Sequence, residues 1–313
     1  MSIRRTSGAY FLLQGAAVSV WWLLLFFLPS TRRYFQMDAA SEYTLLAFWL
    51  PDLLLLALGS VVTGVLCLVG SNLAPAAVWF VSGAVSYASL YCLTFALLSD
   101  AGWLGVTLML PAMLLSITSA LAVSPFAKGL FRRAKLASPA RNIAKTVTQI
   151  VIFWGVLLFL LPYLLTLIEN RLGLTRYQFD FQQPFSSLLF ICFSVLGLWS
   201  GYTMAVAGRG TPLPLDSPRQ LVVSGPYAYV RNPMVIAGLG QGVAVGFWLG
   251  STLVMIYVLI GGLIWQLLVR PLEEEDMELH FGTAYLVYRQ HVHCWQPRLK
   301  PFETQSVADA GSA

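Results

Sequence analysis

Apolar residues along this chain come in unbroken blocks of about twenty, separated by short polar stretches, instead of recurring every three or four positions as on one face of a soluble helix. A block of that length crosses a hydrocarbon core of roughly 30 Å as a helix, because a helix satisfies its own backbone hydrogen bonds in lipid. Eight such runs stand out, near 10–28, 45–69, 76–98, 103–123, 147–168, 185–206, 233–249 and 251–269. The pattern predicts an all-α, polytopic transmembrane protein of about eight spans. The last two runs nearly touch at Gly250, which predicts a hairpin of short helices. The first run follows Arg4 and Arg5 as in a signal sequence, but the stretch after it, STRRYFQ, has no small-residue cleavage site, so it reads as a retained helix.

Composition agrees with this reading: of 313 residues, 58% are hydrophobic and only 11% charged, against roughly 25% charged in soluble domains. Charge then sets an orientation, because Lys and Arg in short loops stay on the cytoplasmic side. The segment PFAKGLFRRAKLASPARNIAK holds Lys128, Arg132, Arg133, Lys135, Arg141 and Lys145 and no acid. With it inside, eight crossings put both termini in the cytoplasm, and fifteen of the nineteen Lys and Arg fall on that side. This basic loop suits anionic lipid headgroups. It carries no interleaved aromatic platform, which argues against a nucleic-acid partner. Cys67, Cys92 and Cys192 sit inside spans and Cys294 near the C-terminus, so no disulfide framework is implied.

The first four spans hold little that suggests chemistry. Asp52 and Asp100 read as interfacial, and ENRLGLTRYQFDFQQP (169–184) as a solvated connector. After the sixth span the character changes. The connection GRGTPLPLDSPRQLVVSGPYAYVRNPM is rich in Pro and Gly, too rigid for simple disorder and long enough to be functional. Asn232–Pro233 reads as a helix start, with Asn232 capping an orphan N–H and Pro233 at the first helical position. Arg231 adds a full charge to the partial positive charge of that helix terminus, and the pair makes a ready anion site; snorkelling of Arg231 to a lipid phosphate is the plainer alternative. Gly238, Gly242, Gly246 and Gly250 share one helical face and predict close packing on the next helix, while Gly240, on another face, is the candidate for cofactor space.

Past the hairpin, Glu273, Glu274, Glu275, Asp276 and Glu278 crowd like charges together. Glu275, Asp276 and Glu278 read as solvated. Glu273 and Glu274, nearest Arg270 and the membrane exit, are the candidates for a ligand contact. His280, His291, His293 and Cys294 match no common zinc spacing, and no metal site is expected. Soluble catalytic signatures such as G-x-S-x-G, the P-loop and H-E-x-x-H do not occur in a plausible setting.

The series LVVSGPYAYVRNPM, a glycine-bearing hairpin, a Glu pair, FGTAYLVYRQHV and a closing QP resembles the isoprenylcysteine carboxyl methyltransferase and phospholipid methyltransferase superfamily, over about Val147–Pro301. Met277 stands at that pattern's hydrophobic position, and Tyr285 and Tyr288 supply its tyrosine pair. The resemblance implies S-adenosylmethionine as cofactor, bound in a cytoplasmic C-terminal region, and a lipophilic acceptor arriving from the bilayer. It divides the chain into a four-helix extension (1–124), the basic loop (125–146), a methyltransferase-like core (147–301) and a disordered tail (302–313). Carried over by position, cofactor contacts fall on Arg219, Gln220, Leu221, Val222, Tyr227, Asn232, Pro233, Met234, Val235 and Glu273. Arg231 and Glu274 join the catalytic set, and Arg270 is the nearest match to a substrate-contacting arginine, offset by about one residue. Asn232 stands where many members have His, and Val235 where Tyr is frequent. A sterol-type reductase using NADPH shares some features, but the double Glu and the F-G argue against it. A transporter or scaffold lacks the expected inverted repeat and midspan charge pair.

Overall fold

The structure, a computed structural model, describes residues 3–35, 42–124, 132–133, 139–208 and 216–302. Lys128 and Lys135 of the basic loop, Arg209 and residues 303–313 lie outside the described residues. Apart from a two-residue parallel pairing of Arg132–Arg133 with Asp216–Ser217, the described elements are helical.

Seven helical stretches are long and apolar enough to cross a membrane, and the protein is an integral membrane protein. They are α1 (Ile3–Phe27), α2 (Glu42–Leu68), α3 (Ala74–Ser99), α4 (Trp103–Val123), α5 (Ile143–Arg171), α6 (Gln182–Ala207) and the continuous run Thr252–His291. The expected eighth, α7 (Pro233–Leu249), forms as a helix of 17 residues. At 1.5 Å per residue it reaches about 25 Å, short of a full hydrocarbon core. The run Thr252–His291 divides into α8 (Thr252–Ile264), a π-helical turn at Trp265–Val269 and α9 (Arg270–His291).

The chain forms two compact units. The first comprises residues 1–127, 170–174 and 264–271. Its helices approach closely where side chains are smallest. A Cβ added at Gly15 would lie 2.8 Å from the Ala57 carbonyl oxygen, and one at Gly64 would lie 2.9 Å from that of Gly8. In lipid, where apolar surface gains nothing by leaving water, such contact and interhelical hydrogen bonds hold helices together. Both occur here: Phe11, Leu56, Val78, Val81 and Val85 pack in one cluster. Beside it Tyr10 donates to the Ala112 carbonyl (2.8 Å), Gln14 Nε2 to Ser60 Oγ (2.9 Å) and Ser82 Oγ to the Ser116 carbonyl (2.8 Å). Asp100, in the left-handed conformation that ends α3, pairs with Arg171 and accepts from Trp103 Nε1, an interfacial arrangement. Asp52 stands ten residues, or about 15 Å, along the helical stretch that begins at Glu42.

The second unit comprises residues 128–169, 175–263 and 272–313. Within it α6 and α7 pack with Gly240 under the Phe193 ring, where a Cβ would fall 2.3 Å from Cδ2. Gly240 therefore makes room for a neighbouring aromatic side chain, which corrects its assignment to cofactor space. Gly242 and Gly246 face Val258 and Met255 of α8 as the hairpin requires, while Gly238 has nothing near it. The 169–184 stretch departs from a solvated connector. Tyr177 donates to the Gly246 carbonyl (3.0 Å), and its N–H to that of Gly250 (3.1 Å). Glu169, buried, accepts from the Leu253 N–H at 2.7 Å, and Ser251 Oγ from the Val254 N–H at 3.1 Å. Together they satisfy orphan donors at the start of α8, where the helix dipole favours negative charge.

Candidate functional site

The site is built in the second unit by three pieces of chain. The first is the turn before α7. Gly225, at φ +56, opens a single 3-10 turn (Gly225–Ala228) and lies against Thr203 and Trp199. The Tyr227 side chain is thereby held in the interior. Burial, with Glu273 nearby, pushes its phenol well above the ordinary tyrosine range, so it stays a neutral hydrogen-bonding group. Next, Arg231 is also buried, and Pro233 starts α7 fully buried at the first helical position, as its chemistry predicts. Asn232 occupies the cap position without a side-chain capping bond; its Nδ2 lies 3.5 Å from Cys294 Sγ. That corrects the expected role: the side chain turns to the C-terminal segment and leaves the α7 N-terminus uncapped by it.

The second piece is α9. Glu274 Oε1 lies 3.1 Å from Arg231 Nη1, and the Tyr285 hydroxyl 3.5 Å from the same nitrogen. Arg231 Nε is buried and has no hydrogen-bond partner. A buried guanidinium nitrogen left unpaired costs free energy that a bound acceptor would recover. Tyr288 donates its hydroxyl to the Tyr227 carbonyl at 2.7 Å, tying α9 back to the turn. Glu274 and the two tyrosines stand on either side of Gly282, whose φ of 52° and ψ of −129° break the helix. No atom lies within 4 Å of where its Cβ would be, so conformation, not space, demands glycine there.

The third piece, residues 292–302, pairs through its backbone with the turn. The N–H of Arg231 donates to the His293 carbonyl (3.0 Å), that of Arg298 to Tyr229 (2.9 Å) and that of Phe302 to Ala228 (2.9 Å). Phe302 packs edge-on against Tyr288 in a buried cluster with Val223, Tyr285 and Val292, and Met277 borders it. Residue 302 is thus part of the packed site and not of the tail. The two histidines of α9 face their own helix: His280 Nδ1 approaches Asp276, and His291 Nδ1 the Val287 carbonyl.

Among the expected site residues, the structure brings Arg231, Glu274, Tyr227 and Glu273 into one neighbourhood. Val222 is buried against Gly208, Leu221 borders the aromatic cluster, and the Arg219 N–H donates to the Gly208 carbonyl (2.9 Å). Gln220 is exposed, and Met234 and Val235 are half-buried on the first turn of α7. Arg270 belongs to the first unit. Tyr285 and Tyr288, read in the sequence only as a motif pair, turn out to line the site; their i, i+3 spacing was the available signal.

Residues 182–284 match the family model of the phospholipid methyltransferases, which supports a membrane methyltransferase. The match is narrower than the resemblance over Val147–Pro301: it opens at α6 and stops just short of Tyr285. No curated protein and no solved structure matches the chain. Residues 182–284 of this integral membrane protein are thus similar to the phospholipid methyltransferases, a family of integral-membrane methyltransferases related to the isoprenylcysteine carboxyl methyltransferases.

Proposed function

We propose that the protein transfers a methyl group from S-adenosylmethionine to a lipophilic acceptor in the bilayer, on a carboxylate, amine, thiol or hydroxyl. The observation that carries this is the buried Arg231 at the start of α7, with one nitrogen held by Glu274 and its Nε unpaired. An unpaired guanidinium edge beside a helix N-terminus fits the cofactor's carboxylate. The cofactor, when bound, supplies a methyl group activated on a sulfonium. Arg231 orients the carboxylate, and Glu274 fixes Arg231. Glu273 accepts hydrogen bonds from ribose hydroxyls or the amino group, and the neutral Tyr227 offers an aromatic face to adenine or to positive charge, worth about 0.5–2 kcal/mol. Arg219, Gln220, Leu221, Val222, Asn232, Pro233, Met234 and Val235 complete the contacts on the turn and first helical turn, and Arg270 contacts the acceptor. Such a site works by orientation and exclusion of water, effects worth about 7–11 kcal/mol in favourable cases, without a covalent nucleophile. With α7 counted as a crossing, the positive-inside rule supports a cytoplasmic position for this region and for both termini.

Calorimetry on the protein in lipid nanodiscs tests the reading. S-adenosylmethionine binds saturably, NADPH does not, and Glu273→Ala and Tyr227→Ala each weaken cofactor binding at least tenfold, about 1.4 kcal/mol. Binding of NADPH in place of S-adenosylmethionine, or unchanged affinity in both variants, overturns it. Mass spectrometry of co-extracted lipids after labelled cofactor is added identifies the acceptor.

A further inference from the structure

In the first unit, α1 to α4 and Phe35 line an open-sided cavity of about 450 Å³, in the size range of small-molecule sites. Its walls are largely apolar, with Leu13, Val18, Leu56, Leu108, Met109 and Leu115 among them. Two of the polar side chains that line it are engaged elsewhere: Tyr10 with the Ala112 carbonyl and Ser116, and Gln14 with Ser60. Asp52 differs. It lines the same cavity and accepts one hydrogen bond, from Trp22 Nε1 at 3.2 Å. An ionised carboxylate has about four acceptor positions, and among the described residues no Lys, Arg or His pairs with this one. A carboxylate at membrane depth is costly without a partner, and intramembrane acids mark ligand or ion sites for that reason. The backbone is adapted at the same place. Pro51 precedes a π-helical turn that begins at Asp52, and such turns are frequent at functional positions.

We propose that this cavity binds a lipophilic amine, its hydrocarbon chain among the apolar walls and its ammonium on Asp52. The positive head supplies the counter-charge the carboxylate lacks, and the chain fills space that water would occupy at a cost. None of these residues falls in the matched 182–284 segment, so the site is separate in sequence from methyl transfer and does not rest on it.

The test uses the full chain in phosphatidylcholine nanodiscs and a long-chain primary amine carrying a mid-chain diazirine, with adducts mapped by peptide mass spectrometry. Saturable labelling is expected on cavity residues such as Met109 and Tyr91. Octadecylamine should displace the probe at least tenfold better than octadecanol, with stearic acid weakest. Asp52→Asn should retain labelling but erase the amine-over-alcohol preference, and Ala88→Trp, which fills the cavity, should abolish labelling. Non-saturable adducts spread over the lipid-facing surface, equal competition by amine and alcohol in the native chain, or an undiminished preference in Asp52→Asn would each overturn the proposal. The competition order in the native chain decides the matter even if a variant fails to fold.

Discussion

In the first unit, polar side chains lie inside the spans and answer one another across helices, as Ser82 does with Ser116 and Gln14 with Ser60. In the second, charged groups gather at helix starts: Arg231 just before α7, and Glu273 and Glu274 in the first turns of α9, with the turn before α7 paired through its backbone with residues 292–302. The former pattern holds helices together where apolar burial cannot. The latter collects opposite charges around one buried arginine. The family match, residues 182–284, covers α6, α7, α8 and the first part of α9 and nothing of α1 to α5.

The comparison breaks most readily at Arg231. Replacing it with Leu breaks the ion pair with Glu274, and losing one member of such a pair costs up to about 3 kcal/mol; the melting temperature should fall accordingly and S-adenosylmethionine binding should vanish in calorimetry. Retained cofactor binding would remove the second unit's claim to the site. Next is Gly240→Leu, which forces the Phe193 ring aside and should destabilise by about 1–3 kcal/mol, read as a lowered melting temperature in detergent. Gly261, with open space around it, gives the matched control: Gly261→Leu should melt near the native temperature. Gly282→Ala tests the break in α9. A side chain at φ 52° and ψ −129° is strained by about 1–3 kcal/mol, and since no atom blocks a Cβ, the damage should show as weaker cofactor binding more than as lost stability. The smallest effect is expected from Ser82→Ala, which deletes one buried interhelical hydrogen bond for about 0.5–1.5 kcal/mol. It should lower the melting temperature slightly and leave cofactor affinity unchanged. A loss of cofactor binding there would show that the two units do not work separately.

Much of this was legible in the chain itself, because crossing lipid demands long apolar runs and their ends are marked by Pro, Gly and charge. Seven of the eight expected spans, the short α7 of the hairpin and Pro233 at a helix start follow from such marks, while the grouping of Arg231 with Glu274 came from the family resemblance. What escaped were contacts with no periodic signature. The pairing of residues 228–231 with 293–302 runs through backbone groups that every sequence possesses. Asn232 has the right chemistry for a cap, yet packing turns its side chain to Cys294. Gly240 looks the same in sequence whether a ligand or Phe193 covers it. Glu169 sits in a stretch that reads as polar connector, and only the position of α8 reveals what its carboxylate holds.

The backbone pairing of Phe302 with Ala228 also has a timetable. During synthesis the turn that carries Arg231 emerges roughly seventy residues before its last partner, an interval of roughly 4–14 s at 5–20 residues per second. Throughout it, Arg231 and the α7 start stand without α9 or the closing segment, so a ligand that needs all three pieces of chain would bind only once residue 302 has emerged.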